Sequence, residues 1–380
     1  MSASIQRPRV VVAFDAFKGS LTAEEACAAA AQGVRSVLAH AEVVAVPMAD
    51  GGEGSLDALL ARGGEARTTA TTDAIERPAT ATWILDGRDA IVELAQAAGL
   101  PQVEDAPLRP LEATTRGLGA VVLDALDAGA TSITLLLGGS ATTDGGAGLL
   151  EALGARLLDA SGAPVGPGGG GLAGLASIDL AGLDPRVRAS VWRFVTDVDA
   201  PLTGPRGAAA VFGPQKGADA DDVAALDAAL GRFAAVGAEA LGVPVSSFAD
   251  APGAGAAGGV ATVLRALTDG EVVPGGAWFA ELVSLDSAVA GADLVLTGEG
   301  RFDAQSAGGK VVSVVHAAAS AAGAPLCVLA GAVDAEAAAA MGVPAFSLAA
   351  GPADLPALQR DAARLLEAAA ASATRLALRA

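Results

Sequence analysis

Apolar residues along this chain come in short unbroken runs, each followed by a polar, glycine-rich turn and then an alanine-rich helical pattern. The first run, Arg9 to Phe14, reads as a buried strand. A helix is expected from Ala23, because Thr22 and Glu25 have capping-box spacing. A strand over Glu42 to Val46, a glycine turn and a short helix near Leu56 to Ala61 complete a βαβα pattern. That alternation is the signature of a parallel sheet with crossover helices. The end of the chain repeats it, with strands at Asp293 to Leu296, Leu326 to Leu329 and Ala345 to Leu348. Helices are expected from about Val311, around Ala335 to Met341 and, as one long element, from Asp354. None of these strands alternates strictly, as befits a sheet covered on both faces.

The middle of the chain has a different rhythm. Ala79 to Leu85 and Ala90 to Leu94 alternate, with Asp86-Gly87 between them, which predicts antiparallel, hairpin-like pairing. A helix over Thr114 to Asp127, a strand at Ser132 to Leu137 and a helix from Gly146 follow. Val165 to Gly174 holds six glycines and one proline and reads as a loop. The expected fold is α/β: a Rossmann-like parallel-sheet domain built from both chain ends, residues 1–75 and 286–380, with a mixed α/β domain, 76–285, inserted between them.

Composition narrows the function classes. The chain has 380 residues, enough for two packed domains, and 52% are hydrophobic. A formal net charge of -19 argues against a nucleic-acid or membrane-surface partner. Small anions stay accessible, because cations close to a site outweigh distant charge once salt screens the rest. Cys27 and Cys327 are too far apart in sequence for a zinc motif or a disulfide framework, which fits a reducing, cytoplasmic setting. The uncharged run Val311 to Val333 is long enough to span a bilayer. It is broken by His316, Gly323 and Pro325 and reads better as a buried helix, a turn and a buried strand.

Six polar, glycine-rich segments carry the chemistry, and most follow an expected strand, where open α/β sheets bind ligands. Asp15 to Ser20 combines a lysine and a hydroxyl ahead of a helix, an anion-binding arrangement. Asp50 to Ser55 has three glycines for close backbone approach and two carboxylates, Asp50 and Glu53, suited to Mg²⁺. Gly138 to Gly148 offers backbone N–H groups as an anion cradle, without a Walker A lysine. Thr196 to Gly217 sets Asp197 and Asp199 before Arg206 and Lys216. Gly253 to Gly258 matches GxGxxG, but a loop rather than a strand precedes it, so close packing is the better reading. Thr297 to Lys310 contains Glu299, Asp303 and Lys310. Each segment alone is as readily scaffold as site. Together, acids for Mg²⁺, cations for phosphate and glycines for close approach are what phosphoryl transfer needs.

The same segments resemble those of the bacterial glycerate kinase family that lacks a P-loop. The resemblance rests on DAFKGSLTAEEA from Asp15, PMADGGEGS from Pro47, GGSATTDGGAG from Gly138, TDVDAPLTGPRGAAAVFGPQKGA from Thr196, GAGAAGG from Gly253 and TGEGRFDAQSAGGKV from Thr297. It runs in the family's order over nearly the whole chain. It implies ATP-dependent phosphorylation of D-glycerate with Mg²⁺, giving 2-phosphoglycerate or, in some members, 3-phosphoglycerate, at a site between the two domains. The sequence departs from the family at Ala16, Thr143, Ala200 and Gly309, where serine, asparagine, asparagine and histidine are common.

On this resemblance, Lys18, Ser20 and Lys310 are expected to meet ATP phosphates or the migrating phosphoryl group. Gly51, Gly52, Gly138, Gly139, Ser140, Asp144, Gly298 and Asp303 are expected to line or support the nucleotide site. Asp50, Glu53 and Glu299 are the Mg²⁺ ligands, directly or through water. Asp197 orients the glycerate hydroxyl and takes its proton, while Arg206 or Lys216 pairs with the glycerate carboxylate. The chain is expected to act in the cytoplasm on small molecules, as a monomer or homodimer. Two rival readings are a dinucleotide-dependent oxidoreductase, which needs a strand before Gly253, and a binding protein that keeps the fold without turnover.

Overall fold

Two sheets organise the chain, each in its own compact unit: residues 1–50 with 274–380 form one, and 51–273 form the other. The computed structural model describes residues 7–378 except 53, 61–63, 248, 305, 307–309 and 350.

The first unit is built on a five-stranded, wholly parallel sheet. Its spatial order is Ala345–Ser347, Leu326–Ala330, Leu294–Gly298, Arg9–Phe14, Glu42–Ala45. The three central strands are buried except at the half-buried Arg9, which is why they are built almost wholly of apolar residues. The chain steps from Arg9–Phe14 to Glu42–Ala45 on one side and returns to the other side at Leu294–Gly298. The winding direction therefore reverses between Arg9–Phe14 and Leu294–Gly298, where Ala13 pairs with Thr297 and Phe14 with Gly298. Helix Ala23–Val37 starts at the expected capping box, with the Thr22 side chain accepting from Glu25 N–H and the Glu25 side chain accepting from Thr22 N–H. Its alanine face packs with Leu366, Ala370 and Ala373 of the last helix, Ala362–Leu378. That helix is separate from Leu355–Arg360, so the long element expected from Asp354 is two helices meeting at Asp361.

The second unit carries a six-stranded mixed sheet, in the order Glu271–Val273, Val191–Val195, Ser132–Leu136, Asp89–Glu93, Pro78–Asp86, Glu65–Thr72. The first four strands are parallel. The last two pair antiparallel, as the alternation around Asp86-Gly87 predicts. Strand Glu65–Thr72 lies in this unit, whereas the sequence reading carries the chain-end domain to residue 75. The strand is rich in threonine and has no apolar run of its own, so only its ladder to Pro78–Asp86 reveals where it belongs. Residues 168–171, expected as loop, form one helical turn followed by the 3₁₀ turn Leu172–Gly174. Trp83, Trp192, Phe194 and Phe233 fill the core of this unit.

Candidate functional site

In the first unit the chemistry gathers at the carboxyl ends of the parallel strands, on both sides of the winding reversal. Asp15 follows Phe14 directly. Its N–H donates to Gly298 O at 3.0 Å and its Oδ1 accepts from Ala16 N–H at 2.7 Å. Gly298 has to be glycine, because a Cβ there would lie 1.7 Å from Leu329 O. The Asp15 carboxyl is pushed up to about 8, mainly by withdrawal from water and then by Asp50; Glu299 adds repulsion, while the Ala16 N–H and Lys18 act the other way. Glu299 is also raised, first by burial and further by Asp50 and Asp303, against a hydrogen bond from Ser306 and the charge of Lys310. Its Oε1 is buried without a hydrogen-bond partner, as is Thr297 Oγ1 near the end of the preceding strand. Asp15, Lys18, Asp50, Glu299, Asp303 and Lys310 thus share one electrostatic neighbourhood.

Mutual repulsion among partly desolvated carboxylates leaves this neighbourhood short of positive charge. Among the described residues no group of three or more His, Cys, Asp or Glu is set to enclose a metal ion. Mg²⁺ seldom needs such a cage, because it keeps waters and binds through one or two carboxylates plus ligand phosphates. The half-buried Asp50 and Glu299, with its unpartnered Oε1, fit that mode. Glu53, the third expected ligand, lies outside the described residues. Lys18 is exposed, and Lys310 is half-buried at the N-cap of helix Val311–Ala321, where a cation and helix N–H groups favour an anion together. The Ser20 hydroxyl is used locally, donating to Phe17 O at 2.9 Å. Asp303 pairs with the exposed Arg301 at 3.2 Å, and its N–H donates to Ser306 Oγ.

The second unit brings four of the glycine-rich segments together at the carboxyl edge of its parallel strands. Gly138 N–H donates to Gly51 O at 3.1 Å, and a Cβ at Gly138 would lie 2.1 Å from the Gly52 Cα. Gly51, at φ +80, rests on Val195, the residue that ends strand Val191–Val195. Thr196 and the half-buried Asp197 follow it immediately. The GxGxxG segment packs against the same loops: Gly258 O accepts from Gly145 N–H and Gly255 N–H donates to Ala200 O. Among the described residues no strand directly precedes it, as expected.

Asp144 organises the turn into helix Ala147–Ala152. Its Oδ2 accepts from Thr115 N–H, Thr115 Oγ1 and Gly148 N–H, and its Oδ1 from Gly146 N–H. A fully buried carboxylate so completely engaged shapes the loop rather than reaching beyond it. Ahead of it, the N–H groups of Gly139 and Ser140 donate to no acceptor among the described residues, and Gly139 is exposed. Lys216 is buried, with Nζ 2.8 Å from Ser140 Oγ and 2.6 Å from Thr142 O. Arg206 is exposed.

Three residues here escaped the sequence reading of roles. Asp15 stands inside a recognised segment, yet its raised carboxyl depends on neighbours distant in sequence. Glu93 ends strand Asp89–Glu93, is 1% exposed and accepts from Gly54 N–H and Leu56 N–H, fixing the glycine turn before helix Ser55–Leu60. An acid at the carboxyl end of an apolar strand was the available signal. Thr115 is legible only through its bonds to Asp144 and to Leu149 N–H.

The sequence profile of the glycerate kinase family matches residues 10–378. The chain is 43% identical over 328 residues to a glycerate kinase of Bacillus subtilis (strain 168), covering 86% of this chain and 85% of the relative. It is 42% identical over 306 residues to a glycerate 2-kinase of Escherichia coli (strain K12), covering 80% of each. A crystal structure described as a glycerate kinase 2 from Salmonella typhimurium LT2 superposes with a TM-score of 0.80 at 37% identity, over 98% of both chains.

Proposed function

The chain belongs to the glycerate kinase family, and from that premise we propose that it transfers the terminal phosphoryl group of ATP to D-glycerate, giving 2-phosphoglycerate. The observation that carries the nucleotide half is the joint presence of Asp15, Lys18, Asp50, Glu299 and Lys310 at the winding reversal of a parallel sheet. Lys18 and Lys310 meet phosphate oxygens, with Gly298 letting its strand close on Leu329 beneath them and Ser20 and Asp303 shaping the two loops. Asp50 and Glu299 hold Mg²⁺ through oxygen or water, with Glu53 in the same role. When bound, the metal neutralises phosphate charge and so offsets the repulsion that raises Asp15.

The second unit supplies the acceptor side. Asp197 orients the glycerate hydroxyl and takes its proton as that oxygen bonds to the γ-phosphorus. The bond from phosphorus to the β–γ bridging oxygen breaks, and ADP leaves. The free N–H groups of Gly139 and Ser140, steadied by Gly51, Gly52, Gly138 and Asp144, receive the migrating group. Arg206, the exposed cation of its segment, pairs with the glycerate carboxylate. The relative described as a glycerate 2-kinase supports the 2-phospho product. The two buried, unpaired cysteines suit a cytoplasmic setting. An assay coupled to ADP release tests the whole reading. It predicts turnover that requires D-glycerate, ATP and Mg²⁺ together; no glycerate-dependent ADP at saturating MgATP overturns it.

A further inference from the structure

Lys216 occupies a place a lysine rarely takes. Its side chain is 2% exposed, and no carboxylate forms an ion pair with it among the described residues. Burial pushes its ammonium down to about 7, with only Asp144 acting the other way. Keeping such a group inside a protein costs stability, and an apolar side chain of the same length would fit with less penalty. Yet both of its hydrogen bonds reach a single segment. Nζ donates to Ser140 Oγ and to Thr142 O, on either side of Ala141 in the loop that follows strand Ser132–Leu136. Lys216 itself ends the 3₁₀ turn Pro214–Lys216, so it ties one loop to another rather than bracing an element of the core.

The loop it holds has unused donors. Gly139 and Ser140 present N–H groups with no acceptor among the described residues, and the Ser140 side chain is one of the two groups gripped by the ammonium. Holding the Ser140 hydroxyl fixes the residue that carries one donor, Leu100 N–H donating to Gly139 O fixes the peptide plane in which that donor lies, and the grip on Thr142 O holds the loop beyond Ala141. On the far side, Asp144 fixes the loop through Thr115 and the helix N-terminus. The donors are thereby set before any ligand arrives, which is how an anion cradle acts most strongly on a transition state.

We propose that Lys216 is a positioning residue for phosphoryl transfer, holding the Gly138–Asp144 loop so that its free N–H groups meet the migrating phosphoryl group, and that it does not touch glycerate. This rests on the kinase reading above. An interaction realised only in the transition state lowers kcat when lost, with little change in KM. The test is steady-state kinetics of Lys216→Met, Lys216→Arg, Ser140→Ala and the double variant Lys216→Met/Ser140→Ala, varying ATP and D-glycerate separately. Lys216→Met should lower kcat by about 10- to 100-fold, since small misplacement of a transition-state contact costs up to about 10²-fold. Both KM values should stay within about twofold, Lys216→Arg should recover part of the loss, and the double variant should be no worse than Lys216→Met alone.

A rise in the KM for glycerate with kcat preserved would mean direct pairing with the substrate carboxylate and would overturn the proposal. So would unchanged kinetics, or additive losses in the double variant. If Lys216→Met does not fold by circular dichroism, Ser140→Ala decides alone: a smaller kcat loss with unchanged KM values supports the proposal, and wild-type kinetics refute it. Wild-type protein that makes no phosphoglycerate sinks the kinase reading and this inference with it; active wild type matched by Lys216→Met sinks this inference only.

Discussion

Asp15 sits where an ionised acid works against the folded state. Burial, with repulsion from Asp50, pushes its carboxyl up to about 8 in the fold from an ordinary value of 3.8. Between those values the folded chain holds a proton that the unfolded chain has released, so stability falls as pH rises from about 4 to about 8. The groups facing it are Asp50, Glu299 and Lys18. Asp15→Asn removes the charge and keeps the shape. It should raise the melting temperature by a few degrees at pH 9, on the guide of about 2–4 °C per kcal/mol for a 150–250-residue domain, with the gain shrinking toward pH 4. Scanning calorimetry across that range checks it, and a gain independent of pH would show that Asp15 is not the group responsible. A residue that destabilises the free protein and faces a cation-poor cluster is a mark of a site tuned for a ligand. Asp197 makes the complementary case for chemistry. Asp197→Asn should keep the fold and lose about 10²–10⁴ in kcat, as expected for a general base; turnover within a few-fold of wild type removes it from that role.

Loops and turns show how the glycine-rich edge of the second unit is assembled. Gly138 meets Gly52 so closely that any side chain must part the two segments. Gly138→Ala should therefore destabilise by about 1–3 kcal/mol and depress activity, while Gly174→Ala, with open space at its Cβ, should do neither. Urea denaturation with parallel rate measurements separates the two. The same physics explains what could be read from the residues beforehand. Strand Arg9–Phe14, helix Ala335–Met341 and the capping box at Thr22 were legible because buried apolar runs and local side-chain bonds leave a mark in the residues themselves. The helical turn Gly168–Gly171 was not, since glycine disfavours helix. Its glycines are needed because a Cβ at Gly169 would strike Thr143 O and one at Gly171 would strike Gly166 O, contacts that only the folded chain contains. The candidate loops were visible as polar breaks at strand ends. The burial of Lys216 and the bonds made by Glu93 were not, because they depend on which loops become neighbours.

The whole molecule carries a formal net charge of -19 and is proposed to bind two anions. Distant charge should slow their approach at low salt, while Lys18, Lys310 and Arg206 act at short range and are screened less. Raising ionic strength from about 10 to 100 mM, where the Debye length falls from about 30 to about 10 Å, should therefore increase kcat/KM for glycerate. A falling slope would mean that nearby cations dominate even at long range. Family membership, fold and site chemistry all converge on transfer to a glycerate hydroxyl, and phosphorus NMR of a reaction containing the protein, MgATP and D-glycerate observes that bond directly. The γ-phosphorus signal of ATP should decline while a phosphomonoester signal grows in equal amount, coupled to the proton on C2 of glycerate. Unchanged ATP, or release of inorganic phosphate alone, would contradict the proposed activity.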